Sequence, residues 1–390
     1  MNDVATGRRG PVLVRSNVSP RSAYVHVPFC RHRCGYCDFA LVAGRDELVG
    51  RYLDALAVEL RRVAEPIALD TLYVGGGTPS HLGPEGLRRL FELLQPRLRP
   101  DVGAEITVEA NPADVTDALV AALRDCGVTR VSLGAQSLDI ATLRALDRDH
   151  DPDDVRRAVA RLAAAGCTVS VDLMTAAPGQ SLAVVERDLA AVVALGTPHV
   201  SVYCLTWEKG TRFHALRRRG LIRSAEESLE RAMLETTIDR LEAAGFEHYE
   251  VSNFARPGAR CRHNETYWCC RPWEGFGPGA ARFDGRVRTT NHRSPTTWMR
   301  RVLAGEDPTG DCEELTPLDA ARERVILGLR RRDGLDRRTF AVASGFALDA
   351  VAGPAIARWV AAGFATDDGA VVRLSREGLL VSDALWGEVV

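Results

Sequence analysis

The sequence predicts an α/β fold: a partial (β/α)6 barrel, an accessory aromatic segment and a small C-terminal α+β domain that is winged-helix-like. Two observations predict the barrel. Short β-rich runs alternate with longer helical patterns from residue 22 onward, which is typical of a parallel sheet with helices outside it. Polar or glycine-rich signatures follow several of these runs at their C-terminal ends, where the active sites of α/β barrels gather.

The barrel is expected to span residues 22–205. Periodicity alone does not separate an open sheet from a closed or partial barrel. The signatures at the strand ends favour the partial barrel. The predicted strands cover residues 23–27, 70–74, 104–109, 129–133, 168–174 and 198–203. The predicted helices cover residues 45–64, 84–95, 114–125, 139–146, 152–165 and 181–194.

The strand–helix alternation stops after the barrel, so residues 206–300 are predicted to form the accessory segment. A charged helical pattern covers residues 224–244. An irregular stretch rich in aromatic residues and glycine follows over residues 247–293.

The small C-terminal domain is predicted to cover residues 301–390. Its helices are expected to begin near Thr316, Asp336 and Leu348. A hairpin over residues 364–372, with Asp-Gly as its turn, follows them. Helices followed by such a hairpin favour the winged-helix-like arrangement.

Composition excludes several classes of protein. The formal net charge of the 390 residues is −2, so we expect no nucleic-acid binding. No stretch approaches the roughly 18 uninterrupted apolar residues of a membrane span. Residues 1–21 carry arginines but no apolar core, which predicts a disordered N-terminal tail rather than a secretory signal. We therefore expect a cytoplasmic protein, either free or peripheral at a membrane.

The spacing of Cys30, Cys34 and Cys37, C-x3-C-x2-C, is the most informative feature of the chain. Three thiolates cannot complete a four-cysteine zinc or iron-sulfur site by themselves. They suit a 4Fe-4S cluster with one iron left open to chelate a small molecule through an amine and a carboxylate. The alternatives are a loop with chance thiols and half of a zinc knuckle.

Other candidate ligand-binding residues stand at predicted strand ends, and Arg148 follows the predicted helix over residues 139–146. The triglycine at residues 75–77 can bring backbone close to a ligand, and its N–H groups can bind a carboxylate or a ribose. Glu109 can accept hydrogen bonds from a ribose or an ammonium. Arg148 offers planar donors to a carboxylate, and Asp172 can hold hydroxyls. Each of these, and Gln136, has a plain structural explanation alone, whereas together with the cysteines they favour a ligand site.

The aromatic stretch also contains histidine and cysteine, which are common ligands of heme iron. Flat aromatic side chains suit the face of a macrocycle. The alternative is an ordinary aromatic core around one buried histidine. Among these residues His263 is the first candidate for an axial ligand, and Cys261 is the second.

Together these motifs resemble the coproporphyrinogen-oxidase-like group of the radical S-adenosylmethionine (SAM) superfamily, and within it the radical SAM heme chaperone family. The resemblance runs from about residue 22 to the C terminus. It rests on YVHVPFCRHRCGYCDF at 24–39, GGGTPS at 75–80, EANP at 109–112, GAQS at 134–137, PGQ at 178–180, YEVSNFARPG at 249–258, CRHNETYW at 261–268 and GFGPGA at 275–280.

The resemblance implies roles for individual residues. It implies that Cys30, Cys34 and Cys37 hold the 4Fe-4S cluster. It implies a heme-binding HNxxYW signature made by His263, Asn264, Tyr267 and Trp268. The SAM site that it implies consists of Tyr24, Tyr36, Gly76, Gly77, Thr78, Glu109, Gln136, Arg148 and Asp172.

Two activities within this group have to be separated. The oxygen-independent coproporphyrinogen III dehydrogenase carries a further cysteine two residues after the third, where this chain has Phe39, and a longer N-terminal arm. These departures and the HNxxYW signature favour the chaperone. Residues 174–178 and 281–282 also depart from the chaperone pattern, which affects local details of the binding site only.

The resemblance implies a chaperone that binds heme, the cluster and SAM and delivers heme to a membrane haemoprotein, such as a respiratory-chain component. We expect weak or no coproporphyrinogen dehydrogenase activity. The alternative is an oxygen-independent coproporphyrinogen III dehydrogenase or another radical SAM oxidoreductase acting on a porphyrinogen-like substrate. A dimer that depends on the cluster is a further expectation.

Overall fold

Strands and helices alternate along the first part of this computed structural model, which describes residues 19–389. The tail predicted for residues 1–21 lies, up to residue 18, outside the described residues. Every strand and helix predicted for the barrel is present, although the third strand of the prediction begins earlier than expected. The strands are β1 (Ser22–Val27), β2 (Phe29–Cys30), β3 (Val42–Ala43), β4 (Ile67–Gly76), β5 (Leu98–Ala110), β6 (Arg130–Gln136), β7 (Thr168–Thr175) and β8 (His199–Cys204). The helices are α1 (Val49–Leu60), α2 (Gly83–Leu94), α3 (Asp117–Asp125), α4 (Ile140–Ala145), α5 (Pro152–Ala164) and α6 (Leu182–Ala194).

The segment that follows lengthens the barrel sheet at both edges, which the sequence did not indicate. Its strands are β9 (Glu247–Glu250), β10 (Asn253–Ala255), β11 (Glu274–Phe276), β12 (Ala281–Phe283), β13 (Val287–Asn291) and β14 (Thr309–Glu314). Its helices are α7 (Arg212–Arg218), α8 (Glu227–Ala243), α9 (Arg262–Trp268) and α10 (Pro295–Leu303). The sheet runs in the order β11-β1-β4-β5-β6-β7-β8-β10-β9 and remains open between β11 and β9. The α/β prediction of a partial barrel is therefore confirmed.

Alternation along the strands separates an apolar layer from a polar interior. On β4, Leu72 and Val74 belong to the apolar core between the sheet and its helices. Thr71 and Tyr73, on the opposite face, bond to polar side chains inside the barrel. The buried polar residues of neighbouring strands share that interior, among them Thr107, Arg130, Ser132, Ser170 and His199.

The helices begin where the sequence caps them. Asp151 and Asp154 form a reciprocal capping box ahead of α5, and Pro152 occupies its first turn. Along α5, Val155, Ala158, Val159 and Leu162 recur at helical spacing and are buried.

The C-terminal residues form an α+β unit with its own apolar core around Phe340 and Trp359. The predicted helix starts and hairpin are present here. Arg231 of α8 pairs with Glu377 at 2.8 Å and ties this unit to the barrel. None of the helices in residues 19–389 has both the length and the apolar character needed to cross a bilayer. The elements are α11 (Pro317–Leu329), β15 (Leu335–Asp336), α12 (Arg337–Ser344), α13 (Leu348–Ala361), β16 (Ala365–Asp367), β17 (Val371–Leu374), α14 (Arg376–Leu380) and α15 (Ser382–Leu385).

Candidate functional site

The three cysteines of the motif lie in the loop after β1 and line one cavity of about 430 Å³. This cavity lies at the C-terminal ends of the barrel strands. The loop is held at Gly35, whose N–H donates to Asp147 at 2.9 Å and whose carbonyl accepts from the Phe213 N–H at 2.8 Å. A Cβ at Gly35 would lie 2.2 Å from the Phe213 ring, so the close approach requires glycine.

The thiols fit an iron-sulfur cluster rather than a single metal ion. Within residues 19–389, no three His, Cys, Asp or Glu side chains converge closely enough to hold one ion. A cluster instead takes each thiolate on a different iron. The Thr78 hydroxyl lies 3.2 Å from Cys30 Sγ, and the Arg148 guanidinium lies 3.7 Å from Cys34 Sγ. Both groups can stabilise thiolate charge.

Burial raises the pKa of the Cys30 thiol to about 12, and the hydrogen bond with Thr78 opposes this rise. Burial also raises the pKa of the Cys37 thiol. A metal that replaces the proton removes the penalty for ionising these thiols, since ligands bind metals in deprotonated form. The chemistry of the loop is therefore compatible with a 4Fe-4S cluster.

The triglycine turn after β4 is required by packing within the protein. A Cβ on Gly77 would lie 2.7 Å from the carbonyl oxygen of Phe29. The N–H groups of residues 76–78 all donate to acceptors of the protein itself, at 2.8 Å. The N–H groups of Gly76 and Gly77 are therefore not free for a ligand in this structure, and ligand binding by the turn stays a prediction. The turn still forms part of the cavity wall.

Glu109, near the end of β5, is a half-buried carboxylate on the same wall. The Tyr73 hydroxyl donates to its Oε1 at 2.8 Å, and the Gly76 N–H donates to its Oε2 at 2.8 Å. Burial raises the pKa of Glu109 to about 7, while these two donors oppose the rise. A neighbouring cation would favour the ionised form, so this carboxylate suits an ammonium.

Arg148, Asp172 and Gln136 complete the wall. Arg148 donates to the Gly134 carbonyl at 3.0 Å, but its buried Nε has no hydrogen-bond partner in the described part of the chain. Asp172 accepts from the Ser132 hydroxyl at 2.8 Å, and burial raises its pKa. Gln136 has a φ of 64°, a conformation that non-glycine residues rarely adopt and that is often found at functional sites.

The structure gathers the predicted SAM residues around the cavity, except for Tyr24. Tyr24 lies deeper, where its hydroxyl is 3.0 Å from His26 Nδ1 and its ring is 6.1 Å from the Tyr73 ring. Sequence reasoning missed Tyr73 and Ser132, which also line the cavity. Strand alternation contains the signal for both, since each stands two residues before a glycine of a recognised motif.

The HNxxYW motif lies on α9, at the opposite end of the barrel from the cysteines. Thr266 of this helix bonds at 2.9 Å to Ser22, the first residue of β1. The Glu105 carboxylate accepts the backbone N–H groups of Arg262 and His263 at 3.2 and 3.0 Å. These contacts hold α9 against the N-terminal ends of the strands, where it closes one end of the barrel interior.

Both ring nitrogens of His263 have hydrogen-bond partners at this end of the barrel. Nδ1 lies 2.8 Å from the Thr71 hydroxyl, and Nε2 lies 2.8 Å from the Tyr267 hydroxyl. The side chain is 1% exposed. Cys261 is buried as well, with its Sγ 3.5 Å from the Glu105 carboxylate. In this arrangement neither candidate axial ligand is open to a heme iron, whereas Asn264 and Trp268 are half-buried.

A second cavity, of about 220 Å³, lies between the accessory segment and the C-terminal unit. Tyr267 and Trp273 line it, with their rings perpendicular and 4.8 Å apart between centroids. Arg288 and Arg324 also border it, but Arg288 pairs with glutamates and Arg324 donates to a backbone carbonyl. Among the HNxxYW residues, Tyr267 is the one that borders this cavity.

Comparison with known proteins agrees with this geometry. The model of the radical SAM superfamily matches residues 24–192, and that of the HemN C-terminal domain matches residues 315–381. The solved structure of coproporphyrinogen III oxidase (HemN) from Escherichia coli has a TM-score of 0.85 over 96% of this chain and 91% of its own. At 22% identity this likeness shows the fold alone. Fold, cysteine loop and cavity thus define a radical SAM protein, a class that implies a 4Fe-4S cluster and SAM.

Curated relatives identify the family within this superfamily to which the chain belongs. The chain is 33% identical to the heme chaperone HemW of Bacillus subtilis over 94% of this chain and 98% of the relative. It is 39% identical to the heme chaperone HemW of Mycobacterium tuberculosis over 83% of this chain and 85% of the relative. The chain belongs to the HemW family of the radical SAM superfamily.

Proposed function

We propose that this chain is a heme chaperone that binds heme, holds a 4Fe-4S cluster and SAM, and delivers heme to a membrane haemoprotein such as a respiratory-chain component. The observation that carries the proposal is the relationship to curated HemW chaperones over nearly the whole of both chains. It acts in the cytoplasm and meets its acceptor at the membrane surface. The dimer that depends on the cluster belongs to the same proposal.

The cavity residues have distinct roles in this proposal. Cys30, Cys34 and Cys37 would hold the cluster, whose chemistry when bound is electron transfer to SAM. Glu109 would accept hydrogen bonds from the SAM ammonium. The free Nε–H of Arg148 would donate to the SAM carboxylate, and Asp172 would accept from the ribose hydroxyls.

The side chain at position 39 supports the chaperone over the dehydrogenase. Phe39 lines the cavity and is 56% exposed. It stands where the coproporphyrinogen dehydrogenase pattern has a further cysteine, and a phenyl ring supplies no thiol for chemistry there. We therefore propose little or no turnover of coproporphyrinogen.

Heme capture by the HNxxYW motif requires a change at α9. We propose His263 as the axial ligand and Cys261 as the second candidate, flanked by Asn264, Tyr267 and Trp268. Because Tyr267 occupies Nε2 of His263, ligation at this nitrogen requires the hydroxyl to leave. Tyr267 borders the second cavity, so we expect heme to approach the motif from that side.

A transfer assay tests the proposal against its alternative. The heme-loaded protein with a reconstituted cluster is mixed with membrane vesicles that contain a haem-free respiratory haemoprotein, and the acceptor's spectrum is followed. We expect the acceptor to gain heme faster than it does from free heme. A parallel anaerobic assay supplies coproporphyrinogen III, a reductant and SAM. Repeated turnover there, without heme transfer, would overturn the chaperone proposal.

A further inference from the structure

The helix that carries the HNxxYW motif touches the SAM cavity through one aromatic contact. The His263 imidazole stacks on the Tyr73 ring, with centroids 5.1 Å apart and planes 28° apart. His263 is fixed by Thr71 on one nitrogen and by Tyr267 on the other. The imidazole therefore presents a rigid face to Tyr73.

Tyr73 spans the barrel interior and connects His263 to the cavity wall. Tyr24 also restricts the movement of the Tyr73 ring, since the two ring centroids are 6.1 Å apart and the ring planes differ by 31°. The Tyr73 hydroxyl donates to Glu109 Oε1 at 2.8 Å. The second oxygen of Glu109 accepts from Gly76 at 2.8 Å, so the carboxylate has one fixed orientation.

We propose that His263 is a positioning residue for the SAM site, which acts through Tyr73 to hold the Glu109 carboxylate where it accepts the SAM ammonium. This inference rests on the SAM-binding part of the proposed function. It gives the motif histidine a role that needs no heme, in the arrangement in which both of its ring nitrogens are occupied.

The physical argument concerns the freedom of the Tyr73 ring. Removing the imidazole leaves a void against one face of that ring, and the surroundings of such a void relax only partly. A tyrosine that tilts into the void moves its hydroxyl away from Glu109 and leaves the carboxylate with one donor fewer. This donor orients Glu109 and favours its ionised form, so its loss should weaken ammonium binding by roughly tenfold.

SAM affinity of the anaerobically reconstituted protein tests the inference in a double-mutant cycle. We expect His263→Ala and Tyr73→Phe each to weaken SAM binding by about tenfold. We expect the double variant to bind SAM no more weakly than Tyr73→Phe alone, because His263 acts through the Tyr73 hydroxyl. Cluster absorbance and the thermal midpoint of each variant establish that it is folded.

Thr266→Ala is the matched control. Thr266 is buried on the same helix, and its hydroxyl bonds to Ser22 and to the Arg262 carbonyl. We expect its SAM affinity to remain within about twofold of the unaltered protein.

Three results would overturn the inference. Equal losses in His263→Ala and Thr266→Ala would show that only the integrity of α9 matters. Additive losses in the double variant would show that His263 and Tyr73 act independently. SAM binding that survives His263→Ala would remove the role while leaving the proposed function intact, whereas no SAM binding by the unaltered protein would contradict the proposed function itself.

Discussion

His263 and Tyr73 stack with ring centroids 5.1 Å apart, and this contact joins two regions that the sequence treats as separate sites. One region is the HNxxYW helix beneath the barrel. The other is the cavity at the strand ends, which Tyr73 reaches through Glu109. The proposed heme site and the proposed SAM site are therefore in direct contact in this structure.

The cysteine loop makes the first prediction. Changing Cys30, Cys34 or Cys37 to alanine should abolish the brown colour and the visible absorbance of the reconstituted protein, because in the proposed site each thiolate would hold a different iron. The measurement is iron and sulfide content beside the absorbance spectrum. Cys312→Ala is the control, since this exposed cysteine lies on β14, outside the cysteine loop, and should leave the cluster in place. A full cluster in any of the three variants would contradict the assignment.

The raised pKa of Glu109 predicts a pH dependence of SAM binding. Its pKa of about 7, raised by burial from the usual 4.5, means that the carboxylate becomes protonated as the pH falls through 7. SAM affinity should fall by up to about tenfold per pH unit below that point. Glu109→Gln should bind SAM more weakly at pH 8 and show little change down to pH 6. Equal pH profiles in both proteins, measured by equilibrium dialysis, would disprove this role.

Protonation of Glu109 at low pH should lower SAM affinity without destabilising the folded protein. Because the folded-state pKa lies above the unfolded value, protonation of Glu109 favours the folded form as the pH falls from about 7 toward 4.5. The thermal midpoint of Glu109→Gln should therefore rise relative to that of the unaltered protein as the pH increases from about 4.5 to about 7, and the difference should stay constant above that pH.

The Tyr267 hydroxyl should oppose the ligation of heme iron by His263. This hydroxyl occupies His263 Nε2 at 2.8 Å, so Tyr267→Phe keeps the aromatic ring and frees the nitrogen. We expect heme affinity to rise by about two- to tenfold, the range that a hydrogen bond of 0.5–1.5 kcal/mol predicts. An absorbance titration with heme measures it. A clear loss of heme binding in this variant would show that the hydroxyl itself contacts heme.

Heme and SAM should weaken each other's binding. When heme iron takes His263 Nε2 and the Tyr267 hydroxyl leaves, the imidazole loses one of the two hydrogen bonds that hold it against Tyr73, which weakens the support of Glu109. By linkage, saturating SAM must then reduce heme affinity by the same factor by which heme reduces SAM affinity. Titrations of each ligand with and without the other measure both factors, and Tyr73→Phe should reduce the coupling. Independent binding of the two ligands would contradict His263 as the axial ligand.

The barrel was predictable from sequence because its signals are local. Alternating β-rich and helical runs placed the six barrel strands, and the cysteine, glycine and carboxylate signatures fell at their C-terminal ends. The added strands β9, β10 and β11 were not predictable, since three or four residues are too few to show a period. They enter the sheet only through pairing with distant strands.

The position of the HNxxYW helix depends on contacts that no local pattern contains. Thr71 and His263 are 192 residues apart in sequence. The motif identifies the residue types, but only the packed barrel shows that both ring nitrogens have partners. The triglycine turn likewise depends on distant residues, because the atoms that exclude a Cβ at Gly77 belong to Val27 of β1 and Phe29 of β2.

The most direct test of the chaperone account is an anaerobic absorbance titration of the cluster-reconstituted protein with heme, run beside His263→Ala and Thr266→Ala. We expect saturable binding near one heme per chain. We expect His263→Ala to weaken this binding and Thr266→Ala, on the same helix, to leave it within about twofold. No saturable heme binding by the unaltered protein would contradict the account and leave the radical enzyme as the leading explanation of the cavity.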